Sequence, residues 1–259
     1  MVRGARVAWA LILLAALGCL ERGKRRESVA DDAATAPVKV EAPLPLASPP
    51  SGEADVSATV RLALEAAPAH LDALVAQQAL AVRVGLGDVF EGLLCQDQMA
   101  AEVRPCLAER FAASDDYRKW KFWLRPGVKF HDGTPLTGAD VSFSLAELER
   151  RGSILAGDFD DIDSLRVTGA TIEIEFRDSR IGRREAFARL PIVPAHVAEA
   201  ERRRAPVGTG PLSFDSWTPG RSIRLTRHEG YWGPPSRAAA VEYRIFASRT
   251  QAIAALGAG

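Results

Sequence analysis

Trp120-Lys121-Phe122-Trp123-Leu124-Arg125-Pro126-Gly127-Val128-Lys129-Phe130-His131-Asp132-Gly133-Thr134-Pro135-Leu136-Thr137 carries the strongest structural signal in the chain. Trp120, Phe122 and Leu124 fall on one face of a strand, with Lys121 and Arg125 on the other. Pro126-Gly127 makes a turn, and Lys129-Phe130 starts a short second strand. His131 to Pro135 is a second turn, dense in the residues that turns require. Thr137 then stands at the N-cap of a helix through Asp140, Val141, Phe143, Leu145 and Leu148. Asp140, three residues after Thr137, nearly completes a capping box.

Moving outward, the same logic places further elements. Thr59 to Leu64 alternates and breaks at Pro68, which reads as a strand ending in a loop. Leu74 to Leu94 is rich in Ala, Val and Leu and lacks Pro. It predicts a helix through Gln77 to Val89, running into Phe90-Glu91-Gly92. Leu165 to Val167 and Thr171 to Phe176 flank Thr168-Gly169-Ala170 as a hairpin, with Ile172, Ile174 and Phe176 on one face. Pro191 to Pro194 reads as a buried loop or short strand. Strands follow over Leu212 to Trp217, Ser222 to Arg227 and Val241 to Phe246, and Ser248 caps a helix from Thr250 to Leu256. Interspersed strands and helices make the class α/β or α+β.

Composition bounds the function. The chain has 259 residues, 47% hydrophobic and 25% charged, enough for a proper core. Lys+Arg and Asp+Glu both number 33. That balance lacks the basic footprint of a nucleic-acid binder. Arg3 and Arg6 precede an apolar run from Val7 to Leu17, too short for a comfortable membrane span. Residues 1–19 therefore read as a secretory signal. Its end, Ala16-Leu17-Gly18-Cys19, looks like a lipobox, with Cys19 as the lipidated residue. Residues 20–57 read as a disordered, Ala/Pro-rich tether, and Pro37 to Ser51 alone holds five prolines. The folded part is then 58–259.

Chemistry-bearing residues are sparse. Cys95 and Cys106 could pair in an oxidising compartment or stay as two buried thiols; the sequence leaves both open. No His lies near them and the spacing is not that of a zinc site, so no metal is expected. His70, His131, His196 and His228 are scattered. His131-Asp132 sits in a tight turn with no nucleophile nearby, which argues against a catalytic pair. Gly208-Thr209-Gly210 lacks the helix and Lys of a phosphate loop. Trp120, Trp217 and Trp232 read as core. No triad or activated carboxylate pair is visible, so an enzyme is not expected, nor any cofactor.

In order along the chain stand Phe90-Glu91-Gly92-Leu93-Leu94, Pro105 with Leu107-Ala108-Glu109, and the run from Phe122 to Thr137. Asp140-Val141, Phe143-Ser144, Val207-Gly208-Thr209-Gly210-Pro211 and Tyr231-Trp232-Gly233 follow. Taken together, over roughly residues 59 to 257, they resemble the family 5 extracellular solute-binding proteins, the oligopeptide, dipeptide and nickel-type binding lipoproteins of ABC importers. The resemblance implies a mixed sheet with flanking helices, the first lobe of a periplasmic-binding-protein-like type II fold. It implies a two-lobed clamp that closes by hinge motion on a peptide or small solute. It implies partners in an ABC permease and its ATPase subunits, and a lipid anchor in the membrane. It places the cleft wall at Gln77, Gln78, Ala79 and Leu80, where two polar side chains suit a site that needs a few placed hydrogen-bonders.

Two departures from the family pattern stand out. The stretch between Ser144 and Val207 is short. The sequence stops at Ala258-Gly259, before a second lobe, so the first lobe is expected to be incomplete and truncated before its partner. One lobe buries one face of a ligand, which predicts weak binding or none by this chain alone. The alternative function is a single-lobe sensor or scaffold domain, or a truncated remnant without a transport role.

Overall fold

The computed structural model describes residues 39–41, 58–75, 88–96 and 102–257. The strands are β1 (Lys39–Glu41), β2 (Thr59–Leu64), β3 (Leu94–Gln96), β4 (Val103–Pro105), β5 (Ala108–Ala113), β6 (Lys119–Leu124), β7 (Ile162–Thr168), β8 (Thr171–Phe176), β9 (Leu212–Thr218), β10 (Ser222–Arg227) and β11 (Ala240–Ile245). The helices are α1 (Gly138–Arg150), α2 (Arg183–Arg189), α3 (Glu199–Arg202) and α4 (Arg249–Gly257), with a 3-10 turn at Ile154–Asp158. Among the described residues they form a five-stranded sheet in the order β1-β5-β6-β8-β7, a four-stranded sheet β2-β11-β10-β9 and the ribbon β3-β4.

The five-stranded sheet is antiparallel throughout and grows from β6. Trp120, Phe122 and Leu124 are buried, while Lys119 and Lys121 face Glu175 and Glu173 of β8 at 3.6 and 2.7 Å. Such exposed cross-strand pairs set register and contribute little stability. Ile172, Ile174 and Phe176 of β8 are buried beside them. Phe187 of α2 closes this layer, with its ring 4.6 Å from Phe122 and 5.2 Å from Trp120. The β7–β8 turn is the two residues Gly169-Ala170, and Gly169 takes φ 58°.

Helix α1 starts where the capping pattern places it. Asp140 Oδ2 accepts from the Thr137 backbone N–H at 2.9 Å and from its hydroxyl at 2.8 Å. Asp140 Oδ1 also accepts from Ala195 N–H at 2.9 Å, so one carboxylate caps α1 and holds the 191–195 connector. Ile192 and Val193 of that connector are fully buried.

Several elements depart from the sequence reading. Lys129-Phe130 makes only an isolated bridge, Lys129 to Pro135. Strand β5 escapes the period-two reading because a register shift between Ala108 and Arg110 breaks its alternation. Three residues of the expected tether, Lys39–Glu41, pair antiparallel with β5, so the chain over 20–57 is strand-paired there. The predicted helix through Gln77 to Val89 falls largely outside the described residues. Strand β2 pairs in parallel with β11 at the edge of its sheet, leaving Val60 43% and Leu62 40% exposed.

Candidate functional site

The segment 76–87, which holds the predicted cleft wall, is bounded by two anchored ends. On one side Leu71 N–H donates to Arg203 O at 2.9 Å and Leu74 N–H to Asp72 Oδ1 at 3.1 Å. Asp72 is buried, and its Oδ2 meets Arg151 Nη1 at 3.1 Å and Arg202 Nε at 3.8 Å. Glu147 of α1 meets Arg202 at 3.1 Å, so this end is tied to α1 and α3 through a desolvated charge network. On the other side Leu212 N–H donates to Asp88 O, Gly210 N–H to Val89 O, and Ile192 N–H to Glu91 O, at 3.1, 3.0 and 3.0 Å. Gly208 and Gly210 are required there. A Cβ on Gly208 would overlap the Val89 carbonyl, and one on Gly210 the Asp88 carbonyl.

Beyond that anchor lies a buried carboxylate. Glu91 Oε2 accepts from Thr209 Oγ1 and from Trp232 Nε1, each at 2.9 Å, and Oε1 accepts from Tyr231 Oη at 2.7 Å. Burial raises the Glu91 carboxyl above the usual range; these hydrogen bonds and the nearby Arg125 pull it back in part. Burial, with the Glu91 charge beside it, pushes the Tyr231 phenol well above its ordinary value. Arg125 stacks on the Trp232 ring at 4.4 Å and donates to Cys106 O at 3.1 Å. Loop residues far apart in sequence thus lock onto one acidic group.

A disulfide joins Cys95 to Cys106 beside this group, cross-bracing the β3–β4 ribbon. Cys106 Sγ stands 3.7 Å from Glu91 Oε1.

His131 and Asp132 do not cooperate. Gly208 N–H donates to His131 Nδ1 at 3.3 Å, and Nε2 faces Gly210 O at 3.0 Å, which assigns the proton to Nε2. Burial lowers the imidazole to about 4. Asp132 turns away, accepting from Thr134 and meeting His196 Nε2 at 2.7 Å. The two side chains therefore form two separate clasps, His131 with Gly208 and Gly210, and Asp132 with Thr134 and His196.

Gln77, Gln78, Ala79 and Leu80 lie outside the described residues, as does Cys19. Trp120 is core, while Trp232 is half-buried and hydrogen-bonded to Glu91. Nothing in the sequence marks the Glu91 centre as a unit, although its residues stand in the family motifs. A signal was available: one carboxylate inside the apolar run Val89-Phe90-Glu91-Gly92-Leu93-Leu94 must find donors or stay neutral.

This arrangement of sheets and anchored connectors is one lobe of a type II periplasmic-binding-protein fold. The chain belongs to the bacterial extracellular solute-binding proteins, family 5: residues 102–259 match that family's middle region. Protein XP55 of Streptomyces lividans is 32% identical over 162 residues, 58% of this chain and 29% of that protein. The glutathione-binding protein GsiB of Escherichia coli strain K12 is 28% identical over 157 residues, 56% of this chain and 30% of that protein. The solved structure of AgaA from A. tumefaciens R10 in complex with agropinic acid superposes with TM-score 0.72 at 27% identity. It covers 78% of this chain and 42% of AgaA. The chain thus spans about a third of the curated relatives' length and under half of that structure. Among the described residues no helix is long and apolar enough to cross a membrane.

Proposed function

We propose that this chain is the first lobe of the substrate-binding component of an ABC importer. It captures peptides or similar small solutes outside the cytoplasmic membrane and delivers them to a permease with its ATPase subunits. Residues 1–19 serve as the signal, Cys19 carries the lipid, and 20–57 tether the lobe to the membrane. Gln77 and Gln78, with Ala79 and Leu80, line the cleft. The reading rests first on family membership over residues 102–259. The bonds that fix residues 71–74 on one flank and 88–91 on the other support it, because a wall that must hold solute in one register needs fixed flanks.

The test is an NMR titration of the full chain with glutathione and with a mixed pool of short peptides. One lobe contacts one face of a ligand, so the affinity expected is weak, in the millimolar range that corresponds to about 4 kcal/mol. Shifts concentrated between Val75 and Glu91, and lost in a Gln77→Ala/Gln78→Ala variant, support the reading. Unchanged spectra with every pool, and undiminished peptide uptake by cells lacking the gene, overturn it.

A further inference from the structure

Among the described residues, the donors to Glu91 leave one acceptor position to spare. A carboxylate offers about four lone-pair sites. Thr209 and Trp232 fill two on Oε2, and Tyr231 fills one on Oε1. On Oε1 the neighbouring polar atom is Cys106 Sγ, at 3.7 Å. A disulfide sulfur carries no proton and donates nothing to it. Glu91 is 7% exposed and Cys106 1%, so this corner is largely shut off from bulk water. Glu91, Cys95 and Cys106 present one ligand atom each, all within 4.8 Å of one another.

We propose that reduction of the Cys95–Cys106 disulfide turns this corner into a binding site for a thiophilic divalent cation of the zinc class, held by Cys95 Sγ, Cys106 Sγ and Glu91 Oε1. The inference stands apart from the transport reading and does not depend on it. A dithiol reductant supplies two electrons and becomes a disulfide itself. The protein S–S bond breaks, and its two sulfurs take up two protons as thiols. Cation binding releases those protons to solvent.

Three features favour the site. Its donors are the thiolate and carboxylate groups that zinc takes, with a fourth position left for water. Tetrahedral ligands at ordinary zinc distances stand about 3.5 Å apart for a sulfur–oxygen pair, close to the 3.7 Å between Cys106 Sγ and Glu91 Oε1. Two thiolates, one carboxylate and one divalent cation sum to a single negative charge, the same charge the ionised Glu91 alone places there. The Tyr231 hydroxyl already fixes the orientation of the ligating oxygen.

The experiment uses the full chain with Cys19→Ser, leaving Cys95 and Cys106 as the two cysteines. The protein is reduced with a phosphine, freed of reductant and titrated with cadmium alone, following thiolate-to-metal ultraviolet absorption. One equivalent is expected for the reduced protein and none for the oxidised. Cys106→Ser should abolish the signal, and Tyr231→Phe should weaken binding about tenfold while leaving the stoichiometry at one. Near-ultraviolet circular dichroism reports whether each reduced protein is folded. Folded, reduced protein that binds no cadmium overturns the proposal. So does an absorption band that survives Cys106→Ser, or loss of the fold on reduction, since the site requires Glu91 to be held in place.

Discussion

Tyr231 Oη donates to Glu91 Oε1 at 2.7 Å across 140 residues of sequence, and this bond closes the loop after β10 onto the strand-entry segment before β3. Glu91→Ala would strand three donors, those of Tyr231, Trp232 and Thr209, in a buried site. Each orphaned buried group costs about 1–3 kcal/mol. Partial rehydration will recover some of that, so a loss of about 3 kcal/mol or more is expected in urea denaturation. Tyr231→Phe removes one partner only and should cost about 1–2 kcal/mol.

The glycines of Val207-Gly208-Thr209-Gly210-Pro211 are needed for close approach, and neither takes a positive φ. Gly208→Ala places a methyl group against the Val89 carbonyl, which is backbone and cannot swing aside. The loop must back away, breaking the Gly210 N–H to Val89 O and His131 N–H to Gly208 O bonds. A loss of about 4 kcal/mol is expected, at the upper end for single substitutions. Gly220→Ala is the control: it faces open space and strains only its own turn, at φ 70°, so about 1 kcal/mol is expected. Equal losses in the two variants would refute the close-approach argument.

What the sequence made legible follows from how locally each signal is written. Strand β6, the β7–β8 hairpin and the α1 cap depend on neighbours within a few residues. Alternation, a two-residue turn and a Thr-to-Asp spacing specify them outright. Helix α4 is likewise marked by Ser248, whose hydroxyl accepts from Gln251 N–H at 3.3 Å. Strand β5 is hidden by its bulge. The exposure of Val60 and Leu62 was also invisible, because alternation states which residues share a face and not whether that face is covered. The Glu91 centre is the extreme case. Its members at positions 91, 209, 231 and 232 belong to three separate motifs, and only the fold brings them together. The sequence shows that Glu91 needs donors; it does not show where they come from.

Breaking the disulfide has a cost that can be bounded from chain entropy. Cys95 and Cys106 are 11 residues apart. Closing a loop of that size stabilises the folded state by about 3 kcal/mol, on the model in which the cross-link restricts the unfolded chain. Cys95→Ser/Cys106→Ser should therefore lower the unfolding free energy extrapolated to water by that amount, with a somewhat larger m-value because the freed unfolded chain exposes more surface. A loss far above it would mean that the bond also holds Glu91 in place in the native state. Adding Tyr231→Phe to the double serine variant separates the two contributions, since coupled losses do not add.

His131 is neutral in the fold because burial lowers its imidazole from 6.5 to about 4. Below pH 6.5 the unfolded chain takes up a proton there before the folded chain does. Stability from this residue is thus fully present above pH 6.5 and is lost as pH falls towards 4. The span corresponds to roughly 3 kcal/mol when complete. His228, whose ring lies 4.9 Å away, is lowered by burial too and works in the same direction. Glu91 works oppositely: burial raises its carboxyl, so its contribution declines as pH rises past the ordinary glutamate range. The net slope of the wild type mixes these effects, and a variant isolates the one in question. His131→Asn keeps a side-chain amide near Gly208 and Gly210 and removes the titration. Its stability at pH 7.5 should fall by about 1–2 kcal/mol from imperfect hydrogen bonding. Between pH 7.5 and 5 it should lose less further stability than the wild type does. Parallel pH profiles for the two proteins would show that His131 is already accessible to protons in the folded state, and that the Gly208–Gly210 clasp does not shield it.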